Sequence, residues 1–358
     1  MKKSVKTAII VAAGLILAVL VFLAIQRLLM PKYQTGVIEG SMIEEYYDSK
    51  EPHDVIFLGD CEVFENFSTA ALYRNHGISS YIRGSAEQYI WQSYYLLKDT
   101  LKYETPKVVV LSVHSVQFDQ PRTEEYNRMT LDGMKWSDVK VDAIKASMLP
   151  EEHFVDYVFP ILRYHYRWSE LSGDDFKYFW SKDRISTNGY YMRCDVRPYT
   201  GFPPKLPLAN YTLGSNAMGY LQKICDLCKE NGINLVLIKA PIEYPSWYEQ
   251  WDTQIQAVAD QNGVPYINYI GNDEIGIDMS VDTYDAGLHL NITGAEKLSD
   301  YLGKYLKSNY ELTDYRQDPT YSKVWDSNLA FYDDIRAKQL AEIDQYGELK
   351  SFGANATN

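Results

Sequence analysis

Asp54-Val-Ile-Phe-Leu-Gly59-Asp60-Cys61 is the stretch that decides the fold. Four consecutive apolar residues, two of them β-branched, suit a strand buried on both faces. Gly-Asp then breaks the run, so the strand ends in a tight turn that carries a thiol. The same grammar recurs along the chain. Ser80-Tyr-Ile-Arg83 reads as a short second strand, followed by a helix from about 86 to 103. Lys107-Val-Val-Val-Leu-Ser-Val113 is a third strand, Asn234-Leu-Val-Leu-Ile238 a fourth and Val264-Pro-Tyr-Ile-Asn-Tyr269 a fifth. Helices end at Asn231-Gly232 and at Asn262-Gly263, both good C-cap signals, and Thr293 opens a last amphipathic helix to about 309. Strands alternating with helices predict a three-layer α/β/α sandwich around a mostly parallel sheet.

Between about 120 and 215 the alternation fails. This stretch is aromatic and mostly helical from Phe154 to Trp180, and reads as an insertion over the sheet edge. The sequence therefore divides into a stub and membrane segment (1–30), a stalk (31–50), the α/β domain (51–310) and a polar tail (311–358) with a helix near 324–346.

At the amino end, Lys2, Lys3 and Lys6 precede an uncharged run from Thr7 to Gln26, closed by Arg27 and Lys32. Twenty helical residues reach about 30 Å, the thickness of a bilayer core. The run lacks a small-residue cleavage site after it, which predicts a retained single-pass signal-anchor. The lysine excess before it favours an inside amino end and an extracellular body. All 48 acidic residues lie beyond Lys32 with 30 of the 35 basic ones. That body, at a net charge of −18, is no general nucleic-acid binder.

Motif searches exclude much. The chain has no Walker-type glycine loop, H-E-x-x-H, EF-hand loop or G-x-S-x-G elbow. Its six histidines lack metal-ligand spacing, so neither a metal nor another cofactor is expected. Cys225 and Cys228 form a C-x-x-C inside an amphipathic helix, where packed, inert thiols are the expectation. Cys61 differs, because it sits past a strand and just before a helical stretch, where a nearby imidazole can activate a thiol. A small residue filling a tight turn is the competing reading. His289 lies in Tyr284-Asp285-Ala-Gly-Leu-His289-Leu-Asn291, an acid and a base close together in one loop.

These blocks resemble the SGNH (GDSL-type) hydrolases. Phe57-Leu58-Gly59-Asp60-Cys61 is similar to the family's first block, where Gly-Asp-Ser supplies the nucleophile, and Asp285 to His289 to its last block. The anchor and helical insertion resemble the extracellular branch with the teichoic acid D-alanyl transfer protein and the alginate O-acetylation proteins. The resemblance, spanning about 54 to 310, implies Cys61 as nucleophile, His289 as base and Asp285 as its orienting acid. Backbone N–H groups of Gly84 and Cys61 would form the oxyanion hole. Three departures accompany it. Cysteine replaces serine. Asp285 precedes the histidine by four residues rather than three, which keeps Asp282 in view. No Gly-x-Asn-Asp third block is visible, leaving Ser112, His114 and Asn127 as substitutes.

Arg83 and Lys239 offer charge to an anionic substrate, while Tyr244, Trp247 and Trp251 offer rings to sugars. The resemblance implies a bacterial acyltransferase or esterase acting on acyl groups, O-acetyl or similar, of a cell-surface polysaccharide or wall polymer. It would work beside a membrane-bound O-acyltransferase. The alternative is an inactive module of the same fold that binds glycan or that partner.

Overall fold

The computed structural model describes residues 2–31 and 42–350, with side chains from Val5 onward. Five parallel strands form the sheet: β1 (Val55–Gly59), β2 (Ser80–Gly84), β3 (Val108–Ser112), β4 (Asn234–Lys239) and β5 (Tyr266–Asn268), in the order β2-β1-β3-β4-β5. Gly59 pairs with Gly84, and Ser112 with Ile238, so the strand ends that carry the quoted residues line up along one rim.

The helices, in chain order, are α1 (Lys2–Leu29), α2 (Met42–Glu45), α3 (Cys61–Phe64), α4 (Thr69–His76), α5 (Ile90–Thr100), α6 (Glu124–Leu131) and α7 (Asp138–Ser147). Then come α8 (Phe154–Val158), α9 (Ile161–Tyr164), α10 (Gly173–Trp180), α11 (Ser215–Glu230), α12 (Glu249–Asn262), α13 (Ile292–Asn309) and α14 (Tyr321–Tyr346). Alternate strand residues feed two cores, because successive side chains of a strand point to opposite faces. Ile56, Leu58, Val109, Leu111, Leu235 and Leu237 pack under α5, α7, α11 and α12. Val55, Phe57, Val108, Val110, Val236 and Ile238 pack under α4, α13 and α14. The three-layer sandwich expected from the strand pattern is the observed fold.

Two regions differ from the expectation. Residues 32–41 of the expected stalk lie outside the described residues, and the rest of it is no stalk. Met42, Ile43 and Tyr46 are buried, and Tyr46 packs edge-to-face on Tyr81 of β2. A short segment with three large apolar side chains gains more by joining the core than by standing in water. The polar tail is likewise integral: Trp325 of α14 is buried and stacks on Tyr73 at 4.4 Å, and Gln339 bonds the backbone at Met192 and Cys194.

The insertion does cover the β2 edge, where Ile82 N–H donates to Asn188 O. It is several short helices rather than one, broken at Pro160 and again ahead of Gly173, where α10 begins. Pro160 cannot donate to a helical ladder. At the other end of the chain, α1 includes a stretch from Val5 to Leu29 with mean hydropathy 3.2, long and apolar enough to cross a membrane.

Candidate active site

The strand β1 delivers Cys61 to the rim through a strained exit. Gly59 has φ +148, and a Cβ there would lie 2.8 Å from Ser112 Cβ, so only glycine lets β1 and β3 approach at this level. Asp60 then caps α3, its carboxylate accepting from Glu62 N–H at 3.1 Å. Gly84 sits as close: a Cβ would be 3.0 Å from Gly59 O. Cys61 is the first residue of α3, where a backbone N–H has no intrahelical acceptor.

Facing it, the loop before α13 folds around its own polar groups. Thr283 Oγ1 donates to His289 O at 2.7 Å and accepts from Gly287 N–H at 2.8 Å. Ala286 takes φ +66, and Asn291 caps α13. Asp285 grips the histidine twice, accepting from His289 N–H at 2.7 Å and meeting Nδ1 at 2.6 Å. The Cys61 thiol lies beside the same imidazole, close enough for the two to shift each other's titration. With Nδ1 held by the acid, Nε2 is left for the sulfur. Cys61, His289 and Asp285 are thus brought together, although more than 220 residues separate the first from the other two. Asp282 is not part of this group: it bonds Lys297 and Thr293 at 2.6 and 2.8 Å.

A residue not anticipated from the sequence completes the cluster. Glu65, one turn after Cys61, approaches His289 Nδ1 at 3.2 Å and accepts from the Tyr284 hydroxyl, whose ring stacks on His289. The i, i+4 step from Cys61 to Glu65 on a helical turn was the available signal. Donor atoms of Glu65, Asp285 and His289 lie within 4.8 Å of one another, a spacing a metal ion could use. The 2.6 Å separation is nevertheless that of a hydrogen bond, whereas ligands of a tetrahedral metal with bonds of about 2.0–2.1 Å stand about 3.3 Å apart.

Burial pushes the Cys61 thiol up to about 12, against the pull of His289. Burial works against a charged His289, but Cys61, Glu65 and the Asp285 hydrogen bond outweigh it and hold the imidazole well above its ordinary value.

Beneath lies a second unanticipated group. Glu62 is buried and ion-paired to Lys239, with His114 Nδ1 at 3.0 Å from its carboxylate and Ser112 Oγ donating at 3.3 Å. Burial would raise Glu62, yet His114 and Lys239 overcome it and depress it far below the carboxylate range. This cluster ties together the ends of β1, β3 and β4. Lys239 is consequently committed to Glu62 rather than open to a substrate.

Three other expected binders are also placed elsewhere. Arg83 is fully buried, paired with Asp99 at 3.0 Å beneath the Tyr46 ring, because its position in β2 points it into the α5 layer. Asn127 is buried between Gln92 and the Ser147 carbonyl, which removes it as a substitute third block. Trp247 is 5% exposed, lies stacked over His114 and packs edge-to-face on Trp251, so neither indole offers a face to a sugar. Tyr244 is exposed, packed edge-on to Phe202. Gly287 of the histidine loop lies against Glu243 and the Tyr199 ring, so Tyr199 borders that loop. Cys225 and Cys228 are free and buried, as expected for packed, inert thiols, and Cys194 is free and buried as well.

No family model matches the chain, and no curated protein matches it. Among solved structures it is similar to a proposed acylhydrolase of Bacteroides fragilis NCTC 9343, with 11% identity, TM-score 0.32 and coverage of 74% of this chain and 93% of the other. It is also similar to a GDSL-like lipase of Bacteroides thetaiotaomicron VPI-5482, with 12% identity, TM-score 0.34 and coverage of 74% and 95%.

Proposed function

We propose that this protein is an ester hydrolase or O-acyltransferase that works through Cys61, held at an outer membrane face by α1. The observation that carries this reading is the meeting of the Cys61 thiol with His289, whose Nδ1 lies 2.6 Å from Asp285. As an acyl ester arrives, His289 takes the thiol proton and Sγ attacks the carbonyl carbon. The tetrahedral oxyanion collapses, the carbon–oxygen bond breaks, and His289 returns the proton to the leaving alcohol. Water or a second hydroxyl, losing its proton to His289, then cleaves the thioester and restores the thiol. Backbone N–H groups of Cys61 and Gly84 would receive the developing charge. Asp285 keeps Nδ1 protonated, which leaves Nε2 to face sulfur.

The acceptor fitting this arrangement is a hydroxyl of a cell-surface polysaccharide or wall polymer, with Tyr199 as a ring bordering the histidine loop. A membrane-bound O-acyltransferase is the matching donor partner. The test is brief exposure of the chain to an activated acetyl ester, followed by peptide mass mapping. A single acetyl group on Cys61, lost in His289→Ala, is the expected result. No adduct on a reduced, accessible Cys61 overturns it.

A second reading has its own support. A thiol raised to about 12 is a poor nucleophile without help. A non-catalytic module binding glycan or the acyltransferase partner would show Cys61 no more reactive to electrophiles than Cys194, Cys225 and Cys228.

A further inference from the structure

The helical insertion carries a large exposed apolar surface that the catalytic reading does not use. Trp168 is 73% exposed and Trp180 83%, and Phe159, Leu162 and Phe176 are exposed as well. Two strongly exposed indoles within thirteen residues are unusual on a water-facing surface, where exposed apolar patches mark interaction sites. Their position is what identifies the occupant. The segments α9, α10 and the turn at 165–169 all touch α1. Arg27 Nε donates to Phe179 O at 2.6 Å, and Arg167 donates to Leu29 O at 2.9 Å, which fixes the insertion to the last turns of the apolar helix.

One contact sets the depth. Phe159 packs edge-to-face against Phe22, with ring centroids 6.1 Å apart. Phe22 lies five residues before Arg27, about 7.5 Å down the helix axis at 1.5 Å per residue. It therefore belongs to the uncharged stretch that would occupy the bilayer. A residue touching it cannot stay in bulk water if that stretch is in lipid. Interfacial helices bury their apolar faces about 5–10 Å into the headgroup and acyl boundary, and Trp and Tyr concentrate at that level. From 153 to 183 there are four Lys or Arg against five Asp or Glu, so the contact would run on apolar partition rather than on attraction to anionic lipid.

We infer that the segment from Phe154 to Trp180 is a second, monotopic membrane contact, seated in the outer-leaflet interface beside α1 and clamping the α/β domain to the lipid surface. The inference rests on the anchoring reading above. It would turn a domain on a single tether into one with a fixed height and tilt over the bilayer.

The experiment uses the full chain in vesicles of phosphatidylcholine brominated on its acyl chains, with Trp emission as the readout. None of the seven tryptophans lies in α1. The expected result is quenching of the wild-type emission that is nearly lost in the Trp168→Phe/Trp180→Phe double variant and unaffected by added salt. Alkaline extraction separates the two readings. If the chain resists extraction while brominated lipid leaves its emission unchanged and aqueous iodide quenches Trp168 and Trp180, the clamp is overturned and the patch faces water or a protein. If alkali releases the chain, the anchoring reading fails and takes the clamp with it.

Discussion

The rim around Cys61 and the insertion around Trp180 treat costly groups in opposite ways. At the rim, buried and half-buried charges are paired: Glu62 with Lys239 and His114, Asp285 and Glu65 with His289. At the insertion, large apolar rings are left in the open. Burying a charge is tolerable only with a partner and hydrogen bonds in place, so the rim has to be rigid and fully specified. Exposing a ring costs little in folding, so the insertion is free to be shaped by something outside the chain. The difference teaches where to expect fragility and where to expect tolerance.

The largest effect tests the rim's chemistry. Cys61→Ala should abolish acetyl adduct formation altogether, measured by intact mass, and a surviving adduct elsewhere would refute the nucleophile. Next, Asp285→Asn should slow acylation by roughly 10²–10⁴, the usual worth of general acid–base assistance, while Asp282→Asn should leave the rate near wild type. Equal losses in both would mean that the loop matters only as a scaffold.

A third comparison concerns stability. Glu62→Gln leaves Lys239 buried without its counter-ion, which should cost about 3–5 kcal/mol in denaturant unfolding. The folded carboxylate is depressed, so its contribution is present above the unfolded value near 4.3 and is lost as pH falls towards the folded one. The gap between wild type and variant should therefore narrow below about pH 4.5. A gap that is constant with pH would remove the ion-pair account.

Glu65→Gln probes the base. Two carboxylates hold His289 high, and removing one should lower it. Since acylation needs the neutral ring, its rise with pH should move to lower pH. A loss of rate with no change in the profile would make Glu65 purely structural. The smallest effect belongs to the other region: Trp180→Ser should change stability by about 0.5 kcal/mol or less in detergent solution. A larger loss would mean that the insertion is held by its own packing.

Particular elements show how far the chain could be read beforehand. β1, β3 and β4 were legible because a strand buried on both faces needs an unbroken apolar run, and Gly59 because the next residue turns sharply. The joining of Cys61 to Asp285 and His289 was reached through resemblance rather than spacing, and the choice between Asp282 and Asp285 was open. Glu62 and Glu65 were missed, since an acidic residue in a short helix is normally a solvated one. Arg83, Lys239 and Trp247 were assigned outward roles that burial reverses.

What the sequence determined by itself was local and periodic: the apolar strands, the helix stops at Asn-Gly, the uncharged run from Thr7 to Gln26 and the turn that presents a thiol. Backbone propensity and hydrophobic period act over a few residues and leave their mark there. The tertiary structure alone decided which charges are neighbours. That property depends on which side chains meet across strands tens or hundreds of residues apart, and on how little water reaches them. The same sheet register that aligns Gly59 with Gly84 turns Lys239 onto Glu62 and sends Arg83 to the opposite layer.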